Sequence, residues 1–156
     1  TVKLVILDND LEPASTELLA QVQESIDPAP QGSGYGLAPI DHIVTVVAPV
    51  KLTVDIASTL MLNPNVTLDK VTPQVETAMA DFFHGLRGDW DIINQKLGRG
   101  YSMTIYRAQL LAEIMKIDGV TNATLPTLNG RAEDVVLRFD NQQSQLPTVG
   151  EVTLDA

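Results

Sequence analysis

The run from Val50 to Leu62 restricts the possible folds of this chain more than any other segment. Its apolar positions are Val50, Leu52, Val54, Ile56, Leu60 and Leu62, and its polar positions are Lys51, Thr53, Asp55 and Thr59. Because successive side chains of a β-strand point to opposite faces, this alternation predicts a long strand with one buried and one solvated face. Such a strand needs partner strands and a covering layer, so the rest of the sequence has to supply both.

Upstream of this run, the sequence predicts a strand, a helix and a second strand. Residues 2–7 are largely apolar and are followed by turn-forming residues. Ser15 is a favourable N-cap for a helix that continues to about Ser25, and Asp27-Pro28 ends this helix. Residues 42–47 are rich in β-branched side chains and predict the second strand. The N-terminal part is therefore expected to be a β-α-β piece.

Two helices and three strands are predicted downstream of the run. The first helix is expected to begin at Thr72-Pro73, a capping hydroxyl followed by proline at the first helical position, and to end at Gly85 or Gly88. The second helix is expected from Met103 to Ile117. The strands are expected near residues 120–126, 134–139 and 149–154, with Asn129-Gly130 as a turn between the first two.

These elements predict an α+β fold, in which the β-α-β N-terminal piece precedes a βααβββ antiparallel-sheet domain with helices packed on one face. Ala48-Pro49 interrupts the strand pattern, so we place a boundary there, between residues 1–48 and a C-terminal α+β domain of residues 49–156. A length of 156 residues suits one domain or two small ones.

The charge balance restricts the partners. The chain has 20 acidic and 10 basic residues and a formal net charge of −10, and residues 1–40 alone contribute −5. Nucleic acids and anionic membranes both select basic surfaces, so neither is expected to bind. No apolar run approaches the ~18 residues that span a bilayer. Cysteine is absent, which excludes disulfides and thiol catalysis.

The stretch from Gln31 to Ile40, QGSGYGLAPI, has the glycine spacing of a phosphate loop. A phosphate loop lies between a strand and a helix, because the helix supplies free backbone N–H groups for the anion. Here a helix-ending segment precedes the glycines, and a strand follows them. The stretch is therefore interpreted as a flexible connector, and no nucleotide or other cofactor is expected.

Two further patterns were weighed as metal sites and set aside. Asp8-Asn9-Asp10-x-Glu12 resembles the opening of a calcium loop, but the required glycine and the later glutamate are missing, so a turn before the next helix is the favoured interpretation. His42 and His84 are the two histidines, and they are not at ligand spacing. No metal is expected.

No catalytic constellation is recognisable either. Ser33, between two glycines, lacks the strand-to-helix turn of a nucleophile elbow. Asp89 and Asp91 flank Trp90 and suggest an acid/base pair of a sugar-cleaving enzyme, but residues two apart diverge on a regular element, and a polar loop is favoured. We therefore expect no enzymatic activity. Two alternatives stay open: a small-molecule or carbohydrate-binding module centred on the Trp90 loop, and a hydrolase that uses Asp89 and Asp91.

The order of the turn segments carries a further signal. The segments that carry it are Val2–Asp8, Glu12-Pro13-Ala14-Ser15, Ile26-Asp27-Pro28, Gly34-Tyr35-Gly36-Leu37-Ala38-Pro39-Ile40, Val44–Pro49, Val50–Leu62, Asp118-Gly119-Val120, Leu128-Asn129-Gly130 and Leu146–Val152. In this order and spacing, they resemble the baseplate J family of contractile-tailed phages, and most closely the PBSX-type prophage versions. Asp41-His42 and the Trp90–Gly100 loop depart from the pattern.

The resemblance implies which part of the longer family proteins this chain corresponds to, and it implies a structural function. Family members are longer, so this chain would correspond to the C-terminal half, with residues 1–48 as the end of a middle domain. The protein would be a wedge component that links baseplate wedges around the tail hub and relays the rearrangement at contraction. It would be made in the bacterial cytoplasm and located in the virion tail baseplate. Its partners would be other baseplate and tail proteins, with a weak homodimer at most.

Overall fold

A computed structural model of the protein describes residues 1–90 and 103–156. By their contacts, the residues fall into two compact units. Unit 1 contains Thr1–Lys51 together with Asp140–Gln145, and unit 2 contains Leu52–Phe139 together with Leu146–Ala156. The assignment of residues 1–48 and 49–156 to a middle and a C-terminal domain stays a prediction, and residues 140–145 return to the unit that holds the N-terminal segment.

Unit 1 is built on a β-α-β element, as the sequence predicts. Strand β1 (Val2–Val5) pairs in parallel with β2 (Val44–Val47), and helix α1 (Thr16–Ile26) connects them. Ser15 is the N-cap of α1, and its side chain accepts a hydrogen bond from the backbone N–H of Leu18 at 3.2 Å. The helix packs against β2, which buries the inward-facing valines of that strand.

Unit 2 contains most of the remaining elements. They are β3 (Val50–Leu62, with its first two residues in unit 1), α2 (Leu68–Gly88), β4 (Thr104–Ile105), α3 (Arg107–Ile114), β5 (Val120–Ala123), β6 (Thr127–Leu128), β7 (Val135–Val136) and β8 (Gln145–Asp155). The long strand β3 has the predicted bounds and pairs with β5, β6 and β8. Its pairings with β5 and β6 are antiparallel, and β4 and β7 form a separate antiparallel pair. The α+β fold is therefore confirmed.

The core of unit 2 lies between β3 and the two helices. Buried positions on α2 recur every fourth residue, which places them on one face of the helix. The most deeply buried side chains are Val54 and Ile56 of β3, Val71, Val75, Met79 and Phe83 of α2, Leu110 and Ile114 of α3, and Ile105, Leu128, Leu137 and Leu146. Helix α2 packs against α3.

The predicted start of α2 is wrong. The helix begins at Leu68, with Thr67 as its N-cap, so Pro73 lies inside the helix rather than at its first position. Proline in a helix interior removes one hydrogen bond and costs about 3 kcal/mol. The extra turn places Val71 in the core with no exposed surface, and full burial of a valine side chain contributes about 1.5–3 kcal/mol. Burial therefore offsets the cost of the internal proline.

The predicted second helix is shorter than expected. Thr104 and Ile105 form β4 instead, opposite Val136 and Val135 of β7, and α3 covers only Arg107–Ile114. Tyr106, inside the predicted helix, is instead the N-cap of α3 and is 49% exposed. The β-branched residues at 104 and 105 pair with a distant strand, and this tertiary pairing overrides the local helical pattern.

The turn at Asn129-Gly130 is confirmed. Both residues have positive φ, 49° and 72°, as a two-residue type I′ turn requires. The turn joins β6 to Arg131, which forms a bridge with Leu128. Among residues 1–90 and 103–156, no helix combines the length and the apolar character needed to cross a membrane.

Candidate functional site: the glycine loop of unit 1

The glycine loop, residues 31–43, connects α1 to β2 and folds back onto the end of the helix. Its backbone N–H groups at Leu37 and Ala38 donate to the carbonyl oxygens of Ser25 and Ile26, at 3.1 and 2.8 Å. The last carbonyls of a helix have no partner within the helix, so the loop satisfies two of them. The connection is thus held against the helix by its own backbone.

Asp27 holds the loop from the other side. Its side chain is 2% exposed, and each carboxylate oxygen accepts one backbone N–H. Oδ1 accepts from Gly32 at 2.8 Å, and Oδ2 accepts from Val44 at 2.9 Å. A single carboxylate therefore ties the end of α1 to the start of the loop and to the start of β2. The N–H of Gly32, which a phosphate loop would direct at an anion, is already donated to this side chain.

Glycine is required in the loop for two different physical reasons. Gly32 and Gly34 have φ of 77° and 71°, a conformation that residues with a Cβ adopt at a cost. Gly36 approaches the backbone carbonyl of Ile26 so closely that a Cβ atom would overlap it. The stretch does connect a helix to a strand, as predicted, but its hydrogen bonds to α1 and Asp27 do not support the flexible character that was expected of it.

The loop places its large apolar side chains outside and its small ones inside. Tyr35, Leu37 and Ile40 are 77%, 82% and 68% exposed, whereas Ala38 is buried. Among the residues that the structure describes, six of the eleven exposed large apolar side chains belong to unit 1. Three of these six, Tyr35, Leu37 and Ile40, lie within six consecutive residues of the glycine loop, and exposed apolar side chains that lie together mark interaction sites.

The outer edge of β2 is closed by side chains rather than by a strand. Gln23 Nε2 donates to the carbonyl of Val44 at 3.0 Å, and Gln23 Oε1 accepts from the N–H of Val46 at 2.9 Å. Gln31 Nε2 also donates to Val44 O at 2.9 Å, and Asp27 accepts from Val44 N. These groups would otherwise be available to pair with another chain. This edge of β2 is consequently not a site for strand addition.

A cleft of about 700 Å³ lies along the two strands of unit 1. It is lined by residues 1–3, by Thr45 and Val47 of β2, by Ala48 and Val50, and by the turn at 141–144. The amine of Lys3 donates to Asp140 O at 2.7 Å, and Asp140 Oδ1 accepts the N–H groups of Gln142 and Gln143, at 2.8 Å each. The charged groups in this region therefore hold the turn in place.

Unit 1 is strongly acidic. It contains two lysines against eight acidic residues, a formal charge of −6. Lys3 donates to a backbone carbonyl, and Lys51 forms an ion pair with Glu12 at 2.5 Å. Both lysines of the unit are thus engaged within it, and the unit as a whole keeps a net negative charge.

The residues considered as metal ligands do not form a common site. Asp8 Oδ1 accepts the N–H groups of Asp10 and Glu12, at 2.9 Å each, so this carboxylate stabilises its own turn. His42 is exposed, with Nδ1 3.2 Å from Ile40 O, and His84 is exposed on α2. No group of three or more His, Asp or Glu side chains suited to a metal occurs in the described ranges 1–90 and 103–156.

The residues weighed as catalytic or sugar-binding are not brought together as a site. Asp89 is exposed and is the C-cap of α2, while Asp91 and the rest of the loop to Gly100 lie outside the described residues. Trp90 is only 6% exposed, and its ring centroid lies 5.4 Å from that of Phe139. A sugar-stacking tryptophan needs an accessible face, so the burial of this indole does not favour a carbohydrate site.

Sequence reasoning missed the groups that organise the loop, namely Gln23, Asp27 and Gln31. The signal for Asp27 was an acidic residue at the helix end, followed by proline and then by glycines. Such a carboxylate can accept backbone N–H groups that a glycine-rich turn leaves without partners. The partner in β2 is 17 residues away in sequence, and no local pattern indicates it.

Comparison with known families identifies the class of protein. Residues 54–155 match the model of the Baseplate J-like protein C-terminal domain, so the chain belongs to this family, as the resemblance predicted. The match covers almost all of unit 2 and begins four residues into β3.

Two proteins of one bacterium are similar to nearly the whole chain. The chain is 29% identical over 154 residues to the phage-like element PBSX protein XkdT of Bacillus subtilis (strain 168). It is equally similar to the uncharacterized protein YqbT of the same strain. Each alignment covers 99% of this chain and 39% of the relative. The chain therefore spans about two fifths of the length of these relatives, and unit 1 is included in the similarity.

Proposed function

We propose that this protein is a structural component of a contractile-tail baseplate, where it links wedges around the tail hub. The observation that carries the proposal is the family match over residues 54–155, supported by similarity to a PBSX protein along 99% of the chain. Family membership and the prophage relative support a phage tail baseplate component. The position in the wedge and the role in linking wedges are proposed in addition to membership of the baseplate.

Several charged side chains of the described residues hold backbone segments together, which is what a structural role requires. Arg107 donates to three backbone carbonyls, those of Pro126, Ala132 and Leu125, at 2.5, 2.8 and 3.2 Å. Asp55 Oδ1 accepts the N–H of Glu151 at 2.9 Å, across to β8. These side chains, like Asp27 in unit 1, hold backbone segments together.

We further propose that the partners are other tail proteins and that self-association is weak. Two copies of unit 1 would bring like charges together, so self-contact should avoid residues 1–40. Sedimentation velocity over a concentration series, at low and high salt, measures this directly. A tight dimer that persists at micromolar concentration would contradict the expectation.

The function is tested in the bacterium that carries the gene. Tail particles are purified after induction of the prophage, and the protein is sought in them by mass spectrometry and located by labelling with an antibody. We expect it at the baseplate end of the tail, and we expect deletion of its gene to give particles without a complete baseplate. Intact baseplates from the deletion strain, together with absence of the protein from particles, would exclude the proposed function.

A further inference from the structure

We propose that the loop surface, defined as the side chains of Tyr35, Leu37 and Ile40, docks onto a different protein that has an apolar centre and a basic rim. The proposal rests on the proposed function, since the partner is sought among the other proteins of the tail. Three observations carry it: the exposure of these side chains, the fixed backbone under them and the charge of unit 1.

The three side chains belong to one closed loop. A Cβ atom built on Gly34 would stand 2.6 Å from Cγ1 of Ile40, so the two ends of the segment 34–40 touch. Tyr35 follows one end and Ile40 is the other, which brings them to the same part of the surface. With Leu37 between them at 82% exposure, they place three large apolar side chains within six consecutive residues of an acidic unit.

The backbone below this surface is fixed before any partner arrives. Backbone N–H groups of the loop donate hydrogen bonds near both of its ends and between them: Asp41 N donates to Gly32 O at 2.8 Å, Gly32 N donates to Asp27, and Ala38 N donates to Ile26 O. A preorganised loop loses little conformational entropy on binding, and rigid aromatic and aliphatic side chains then act as anchors. The arrangement is unfavourable for an isolated loop, because its apolar groups are left in water.

The charge of unit 1 selects the kind of partner. Eight acidic residues accompany two lysines, and exposed Asp41 follows Ile40 directly. Anionic membranes and nucleic acids are repelled by such a surface, and a second copy of unit 1 carries the same charge. A protein with Lys or Arg around an apolar site complements both the apolar loop surface and the negative charge of unit 1.

Photo-crosslinking in assembled particles tests the contact. Tyr35 is replaced by p-benzoylphenylalanine in the full chain, expressed in the bacterium that carries the gene, and the tail particles are irradiated. Tyr106 on unit 2, 49% exposed, is the matched control position. We expect a covalent adduct from position 35 with a different tail protein, at a peptide that contains Lys or Arg, and a much lower yield from position 106. A dimer of this chain, equal yields at both positions, or no adduct at position 35 would overturn the proposal.

Substitutions test the side chains and the charge separately. Leu37→Ser should reduce incorporation into particles about tenfold, as loss of an interface anchor does. Met61→Ser, at a 60% exposed position of β3, should leave incorporation unchanged. Asp41→Asn keeps a residue type that tolerates the positive φ of 68° and removes the charge, so it should lower the adduct yield several-fold. An unchanged yield would overturn the basic character of the partner.

Failure of this inference differs from failure of the proposed function. If the unmodified protein is found in particles and Leu37→Ser is incorporated normally, the loop surface is not the docking site, although the protein is a tail component. If the unmodified protein is absent from particles, the proposed function fails, and the inference fails with it. Circular dichroism and thermal unfolding of each purified variant confirm that the variant is folded.

Discussion

Replacement of Asp27 by asparagine should loosen the glycine loop while unit 2 stays intact. The carboxylate is buried and accepts two backbone N–H groups, from Gly32 and Val44. An asparagine of the same shape offers one acceptor oxygen, and its NH₂ group then faces the second N–H. One charge-assisted hydrogen bond is lost, and a buried donor is left without a partner. Together these effects should cost unit 1 about 2–4 kcal/mol.

Hydrogen exchange measures this cost at the two affected amides. If exchange proceeds through local opening, a loss of about 2 kcal/mol or more speeds it at least about 30-fold. We expect this acceleration at Gly32 and Val44 and none at Ile56 in the core of unit 2. Glu24→Gln on the exposed side of α1 is the matched control, because it removes the same charge and no backbone hydrogen bond is attributed to that side chain. Unchanged protection of Gly32 and Val44 in Asp27→Asn would refute the role assigned to the carboxylate.

Four other outcomes are expected. Gly36→Ala should destabilise unit 1 by about 1–3 kcal/mol in urea unfolding, because its Cβ overlaps the carbonyl of Ile26, which cannot rotate away. Phe83→Ala should cost unit 2 about 3–5 kcal/mol in the same assay, since the ring is fully buried; a change below about 1 kcal/mol would contradict the assigned core. Asn129→Ala should cost about 1–2 kcal/mol, because it loses the acceptor for Asp55 N and strains a φ of 49°, and Asn129→Gly should recover the backbone part. Calorimetric titration with zinc, calcium and ATP should show no specific heat, and a stoichiometric site would disprove that expectation.

Sequence patterns correctly predicted the elements that are defined by signals within a few neighbouring residues. The bounds of β3 follow from the alternation of apolar and polar residues, the start of α1 follows from the capping hydroxyl of Ser15, and the turn at Asn129-Gly130 follows from two residues that tolerate positive φ. Each of these signals is complete within a few residues. The failures occur where distant contacts decide the structure. Helix α2 begins before Pro73 because Val71 reaches the core, and residues 104–105 are a strand because β7 pairs with them.

The glycine loop was harder to predict because the side chains that hold it and β2 in place bond to residues far away in the sequence. Gln23 on α1 reaches Val44 and Val46 of β2, which are more than twenty positions away. In sequence, Gln23 is one of several polar residues of an amphipathic helix, and its residue type alone does not indicate its distant partners. Only the fold shows that its amide replaces a missing strand. The resemblance to baseplate proteins identified the family, but it assigned no surface to a partner.

The loop surface itself has a signal that sequence reading can use. A glycine-rich connection that only reverses the chain needs no large apolar residues, and turns usually carry small or polar ones. Here Gly36 and Ala38 lie against the end of α1, and Tyr35, Leu37 and Ile40 lie between or beside the small residues. Gly36 brings the backbone against the carbonyl of Ile26, and the side chains on either side of it, Tyr35 and Leu37, are exposed. A connection in which glycine alternates with large apolar residues is therefore a candidate docking loop, and the crosslinking experiment at Tyr35 tests that interpretation in this molecule.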